Sequence, residues 1–421
     1  MKKWVLMSLG LFLMTGEALQ GQVSDSVAGT YIGQKAIYSF IIQDAPARLF
    51  TMRQFDEDYL SGYQLYSRML GKNFSPTWNY LIQTVTSLFA FGPLTHEEGH
   101  RSILISENIG SISQPFFLSR RGGYIDGVTD STLKELRDND FPDYARLYTA
   151  GLESDYMLAH REETLLAFEK EPYKNLVVEY LFRKAMIMQY YLMGFFKYDI
   201  DGAEESDELK RDIVGNDVYG VIRHLHRPTM PFHRYTRYAD LTSEEVSYLR
   251  TMGYRAFLNL VNLNIIGINN FSITPNLRVN FGMGHTMCPF GDFIDENVWV
   301  KYKEKLNIDA YLRQFQNRTN WYMGGGIGIN DYPIARKFNT SIHVHFWNQP
   351  ANLRFNDTKS KSGGAFEWVG RYFFLANQKT KMKALSVDMG LIYKTTGFLP
   401  EEIFMRRHFG IRLGTSFAID D

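Results

Sequence analysis

The residues best placed to do chemistry lie together in Thr95-His96-Glu97-Glu98-Gly99-His100-Arg101. On a helix, side chains four apart stand on one face, so the imidazoles of His96 and His100 can reach a single ion. Glu97 follows the first histidine on the same side, where a carboxylate can hold a water and act as its general base. A zinc ion in such a site acidifies water to a pKa of about 7 and polarises a carbonyl. The expectation is therefore a Zn2+ site with His96 and His100 as ligands, Glu97 as the catalytic base, and a peptide bond as substrate. Apolar residues flank the motif: Leu88, Phe89, Ala90 and Phe91 before it, Ile103, Leu104 and Ile105 after it. That places it on a buried or half-buried helix, where unpaired histidine and glutamate are costly. Pro93 is expected to kink that helix or to start a new one.

Other candidates carry less. His224 and His226 are two apart beside Arg223 and Arg227 and read as surface residues of a basic turn ahead of Pro228. His343 and His345 share one face of a predicted strand and read as lumen- or solvent-facing. No glycine-rich phosphate loop and no Gly-x-Ser-x-Gly elbow is found, and Gly324-Gly325-Gly326 reads as strand packing or curvature. Lys plus Arg number 46 and Asp plus Glu also 46, a balance that argues against a nucleic-acid binder. The single cysteine, Cys288, excludes an internal disulfide.

The elements that must position the motif change character near residue 270. Before it, helical spacing dominates: Tyr59, Tyr63, Tyr66 and Leu70 recur at three and four residues, and 147–167 and 175–196 behave alike. Thr242 ahead of Glu244 and Glu245 marks another helix start. Two uncharged stretches, 74–95 and 256–277, are rich in Asn, Thr and Ser and read as buried segments of this half, docked on the barrel or on the membrane surface. After residue 270 the period is two, as in Phe338, Thr340, Ile342, Val344 and Phe346 against Asn339, Ser341, His343, His345 and Trp347. About eight such segments, near 276–286, 296–303, 306–316, 319–330, 337–347, 364–376, 382–394 and 407–419, have the length of a tilted membrane strand. The fold class expected is α+β: a mostly helical half at 22–270 with the HExxH helix, then an antiparallel β-barrel of about eight strands at 271–421, of outer-membrane type. Aromatics at 15% agree with such a sheet.

On the residues His96 to His100, then Gly110 and Gly122-Gly123, the chain resembles the zinc helix and following turn of site-two-protease-like metallopeptidases. Thr149-Ala-Gly-Leu-Glu153-Ser-Asp155 is similar to the second zinc helix of thermolysin-like enzymes. That resemblance implies Glu153 as the third metal ligand, with Asp155 bonding a ligand histidine, His96 or His100, and fixing its tautomer. Asp155, Asp201 and Asp217 stay open beside Glu153 as suppliers of that ligand. The C-terminal HFGIRLGTSFAIDD resembles the closing strand of bacterial outer-membrane barrels, although it ends in Asp420-Asp421 and not in an aromatic.

The N-terminus reads as a secretory signal over 1–21. Lys2 and Lys3 precede the apolar run Trp4–Gly16, and small residues lead to a cleavage site before Gln22. The chain is thus expected in a bacterial outer membrane or periplasm, with a peptide or protein substrate and the membrane as partners and no nucleic acid. Two alternatives stand beside the envelope metallopeptidase. One is a non-enzymatic barrel for transport or assembly with a structural HEEGH helix. The other is an inner-membrane intramembrane protease.

Overall fold

The structure is a computed structural model that describes residues 36–114, 123–199, 205–376 and 382–419. The signal stretch 1–21, Gly122, Asp201 and the terminal Asp420-Asp421 lie outside the described residues.

The helical half begins with α1 (Met52–Asn73), which Thr51 caps by accepting from the Gln54 amide at 3.0 Å. Helix α2 (Pro76–Thr86) runs through a π-helical turn, Ser87–Phe91, into α3 (Gly92–Ser106), the helix of the HEEGH motif. Pro93 lies in the first turn of α3, where its missing N–H costs little, so it opens this helix without breaking the path of the chain. A short hairpin follows, β2 (Ile112–Gln114) with β3 (Tyr124–Asp126). Then come α4 (Asp130–Asn139), α5 (Phe141–Ala167), α6 (Tyr173–Phe196), α7 (Asp217–His226) and α8 (Ser243–Ala256). Helix α8 starts where Thr242 indicates: Glu245 accepts from the Thr242 amide at 2.7 Å while Thr242 Oγ1 accepts from the Glu245 amide.

All eight period-two segments are strands: β5 (Leu277–Cys288), β6 (Gly291–Tyr302), β7 (Leu306–Gln316), β8 (Trp321–Ala335), β9 (Phe338–Pro350), β10 (Ser360–Ala376), β11 (Met382–Lys394) and β12 (His408–Ile419). They pair antiparallel in chain order. A short β4 (Phe271–Thr274) extends one edge, and β1 (Tyr38–Ala45) pairs with β12 at the other. The result is one ten-stranded sheet with β1 and β4 at opposite edges. This corrects the expected closed barrel of about eight strands: the sheet is open. The physical reason is that β1 and β4 do not bond each other: the helical half instead supplies partners to β1 and, beyond the short β4, to β5.

The sense of the faces is inverted relative to a water-soluble sheet. Apolar positions such as Ile342, Val344, Phe346, Val387, Met389, Ile411 and Leu413 are exposed. The polar positions between them are buried against the helices. Arg53 of α1 pairs with Glu367 of β10 at 3.0 Å, Tyr156 of α5 donates to Asp295 of β6 at 2.7 Å, and Trp299 of β6 donates to Thr164 at 2.9 Å. His343 and His345 are on this inner face, the latter 2.9 Å from the Tyr311 hydroxyl. One apolar core runs through both halves, joining Met52, Tyr148 and Ile187 to Phe293, Phe315 and Trp347. The change of period near residue 270 is real, yet β1 crosses it.

Two further readings are corrected. His224 is not a surface residue: α7 carries it into the core, where its Nε2 lies 3.2 Å from the Tyr144 hydroxyl. The uncharged stretches 74–95 and 256–277 are not wholly buried, since Trp78, Leu81, Leu88, Phe89, Leu260, Ile266 and Ile268 are exposed.

Candidate metal centre

Helices α3 and α5 approach closely because each presents a glycine. A Cβ on Gly99 would lie 2.6 Å from the Ala150 carbonyl, and a Cβ on Gly151 would lie 2.6 Å from His100 Nε2 and closer still to His96 Nε2. Both ring nitrogens therefore point over the bare backbone of Gly151, into a space that any other residue would fill.

The far side of each ring is fixed. His100 Nδ1 donates to the Leu147 carbonyl at 2.6 Å, and a carbonyl can only accept, so in the neutral ring it is Nε2 that carries the lone pair. His96 Nδ1 lies 2.8 Å from Asp155 Oδ2. The other Asp155 oxygen accepts from Arg183 of α6 at 2.6 Å, and Arg183 also bonds Glu179 at 2.5 Å. A carboxylate held by a guanidinium stays ionised, so it accepts the Nδ1–H and leaves Nε2 of His96 facing the centre. Tyr190 stacks on the His96 ring with centroids 4.8 Å apart, limiting its rotation.

The third group is Asp217, the first residue of α7. Asn216 adopts a left-handed φ of 66°, which turns the chain into that helix. Asp217 Oδ2 then stands 2.9 Å from His96 Nε2 and 3.3 Å from His100 Nε2. Two lone pairs facing a carboxylate repel unless a positive charge lies between them. A proton or a metal ion can supply that charge. Burial pulls the His96 pKa down, but Asp155 and Asp217 outweigh it and hold it well above the ordinary value. His100 is raised in the same way by Asp217, against its burial. Burial pushes Asp217 up, yet His100 and His96 bring it far below the usual carboxylate range. The three buried groups, with ligand atoms within 4.8 Å of one another, can equally hold a metal ion.

Glu97 is half-buried beside this centre, with its Cγ 3.1 Å from where a Cβ on Gly123 would sit. Burial raises its pKa to about 8 against the lowering fields of His100 and His96, and Asp212 and Asp217 add to the rise. Asp212 is itself raised to about 6, by burial and then by Asp217. The Glu97 carboxyl thus owes its raised pKa first to burial, with the neighbouring histidines and aspartates adjusting it.

The structure brings together His96, His100, Glu97 and Asp155 of the expected site, and Asp217 of the open candidates. It does not bring Glu153. Its carboxylate takes two bonds from Arg146, at 2.7 and 3.1 Å, and one from the Glu401 amide at 2.7 Å. The reason is helical geometry: positions two apart on a helix differ by roughly 200°, so with Asp155 facing His96, Glu153 faces away. The expectation of Glu153 as third ligand is corrected accordingly. Gly151, Arg183 and Tyr190 were not anticipated. The available signal was Gly151 itself, since a glycine inside a long helix costs about 1 kcal/mol and calls for a packing reason.

No protein family, curated protein or solved structure matches this chain.

Proposed function

We propose that the protein is a zinc-dependent hydrolase acting on peptide bonds, a metallopeptidase-like protein of the bacterial cell envelope. The observation that carries this reading is the convergence of His96 Nε2, His100 Nε2 and Asp217 Oδ2 on the gap above Gly151, with Glu97 alongside. Two imidazoles and one carboxylate are a common donor set of hydrolytic zinc sites, which keep a fourth position open. Ligand atoms bound tetrahedrally at about 2.0–2.1 Å stand roughly 3.3 Å apart, close to the 2.9 and 3.3 Å separations here.

Zinc, when bound, supplies the Lewis acidity that polarises the scissile carbonyl and acidifies the attacking water. The remaining roles belong to the chain. Asp155 and the Leu147 carbonyl hold the two histidines in the tautomer that presents Nε2. The Glu97 carboxylate takes the proton from the attacking water and returns it to the leaving nitrogen, the general-base role of the glutamate in HExxH. Arg183 keeps Asp155 charged and in place. The envelope assignment rests on the signal pattern of residues 1–21.

The test compares Glu97→Gln with His96→Ala in purified full-length protein. Glu97→Gln should retain one equivalent of zinc and lose peptide hydrolysis on a casein or peptide-library assay, whereas His96→Ala should lose both. Undiminished hydrolysis in Glu97→Gln would overturn the proposal.

A further inference from the structure

The outward face of the sheet is largely apolar, and among the described residues its apolar side chains are exposed. Val387 is 57% exposed, Phe346 56%, Leu413 48% and Val344 45%. Single exposed apolar residues are ordinary, but here they recur at alternate positions of neighbouring strands and form one contiguous patch. Glu296 interrupts it, and its carboxylate accepts from Gln314 beside it at 2.9 Å. The opposite, inner face holds the charges: Arg371 bonds Asp388 at 3.0 Å, and Arg313 bonds Asp295 at 2.7 Å. Apolar outside and ionic inside is the pattern of a sheet whose solvent is hydrocarbon.

Hydrocarbon tolerates no bare strand edge, and this sheet is open. The helical half nevertheless supplies partners to β1 at one edge and, at the other, to β5 where it runs beyond the short, exposed β4. On β1, Ser39 N–H donates to Ser61 Oγ at 3.0 Å and the Ser39 carbonyl accepts from the same hydroxyl at 2.7 Å. Ile41 N–H donates to Asp58 at 2.7 Å, and the Ile41 carbonyl accepts from Gln54 at 2.9 Å. On β5, beyond the short β4, Met283 N–H donates to the Val261 carbonyl at 2.7 Å. The Asn259 side chain both accepts from and donates to the His285 backbone, and Met287 N–H donates to the Tyr191 hydroxyl at 2.8 Å. Ser39 and Ile41 of β1 and Met283, His285 and Met287 of β5 are thus capped by side chains from α1 and α6 and by the 257–270 segment.

The same seam continues the apolar belt. Residues 76–91 carry no charge and expose Trp78, Leu81, Val85, Leu88 and Phe89; residues 256–277 also carry no charge and expose Phe257, Val261, Ile266, Ile268 and Ile273. The 16 residues of Pro76–Phe91 climb roughly 24 Å as helix. Ten residues of strand tilted by about 40° climb about 25 Å. Both heights suit the hydrocarbon layer of a bilayer. Exposed aromatics mark both rims of the strands, with Trp321, Tyr393 and Phe409 at one end and Tyr302 and Tyr372 at the other.

We infer that the protein sits in a lipid bilayer through a composite belt, made of the outward face of β5–β12 and closed across the open seam by α2 and the 257–273 segment. The belt buries its charges inward, and the helical half fills the space a closed barrel would leave as lumen. The inference goes beyond the hydrolase reading and stands without it.

The test uses full-length protein in phosphatidylcholine vesicles, in a Cys288→Ala background that removes the buried native thiol. A fluorophore is attached in turn at Val344→Cys, Leu413→Cys, Leu81→Cys and Ile266→Cys, and at the turn positions Lys337→Cys and Lys359→Cys. Brominated acyl chains should remove most of the fluorescence at the first four sites and little at the turns, and aqueous iodide should do the reverse. Iodide reaching Val344→Cys and Leu413→Cys as readily as the turns would overturn the belt. A monodisperse detergent-free dimer with the sheet labels shielded would also overturn it, in favour of a second copy. Lipid quenching on the sheet with iodide quenching at Leu81→Cys and Ile266→Cys would overturn the composite closure. Zinc content and hydrolysis play no part in these readouts, so failure here leaves the hydrolase reading standing.

Discussion

Asp155 Oδ2 lies 2.8 Å from Nδ1 of His96, on the side of the ring away from the metal centre. That contact decides which nitrogen of His96 is offered to an ion. Asp155→Asn removes the charge and lets the ring present either tautomer. Zinc affinity should fall about 10–100-fold, while Arg183 keeps its ion pair with Glu179. Competition against a chromogenic chelator reads it; an unchanged affinity means that Asp155 does not orient His96.

Gly151→Ala leaves every ligand in the chain but puts a methyl group in the gap between His96 Nε2 and His100 Nε2. The expected result is loss of zinc binding, with an overpacking cost of about 1–3 kcal/mol. Equilibrium metal analysis together with a thermal melt separates the two effects. A variant that binds zinc like the wild type would place the ion elsewhere.

Glu153→Gln distinguishes structure from ligation. It breaks a buried ion pair and leaves Arg146 without its anion, which costs about 3–5 kcal/mol. Stability measured by denaturant titration should drop accordingly, and zinc stoichiometry in the folded protein should not. Loss of zinc with stability intact would restore Glu153 as the third ligand.

Burial, and after it the nearby Arg137, depress the His224 pKa to about 3 in the folded protein, against an ordinary 6.5. A histidine kept neutral on folding contributes stability above the unfolded pKa. That contribution is lost as the pH falls from about 6.5 toward 3, by up to about 1.4 kcal/mol per unit. His224→Gln should flatten this part of the stability curve in chemical denaturation at pH 6.5, 5.5 and 4.5. An unaltered slope would assign the acid sensitivity to other groups.

How far the sequence reveals this molecule depends on the range of each signal. Alternation over ten or more residues announces β5–β12, and Thr242 with Glu245 announces the start of α8. Strand β1, YSFIIQDA, has no clean alternation and lies within the helical half, so its pairing with β12 is invisible locally. The same holds for the openness of the sheet, which depends on partners that Ser61, Asp58, Gln54 and Asn259 supply from distant segments. The HEEGH motif is local and readable because one helix carries all of it. Asp217 is 121 residues from His96, and only the left-handed turn at Asn216 and the packing of α7 bring it there. Glu153 is implied by the likeness of residues 149–155 to the second zinc helix of thermolysin-like enzymes, and helical phase turns it away from the centre.

The central claim is that His96, His100 and Asp217 together hold one zinc ion. The most direct measurement is zinc titration of metal-stripped full-length protein, followed by isothermal calorimetry, for the wild type and for Asp217→Ala. One tight equivalent in the wild type, lost or severely weakened in Asp217→Ala, is the predicted result. No tight zinc in the wild type, or undiminished binding in Asp217→Ala, would contradict it.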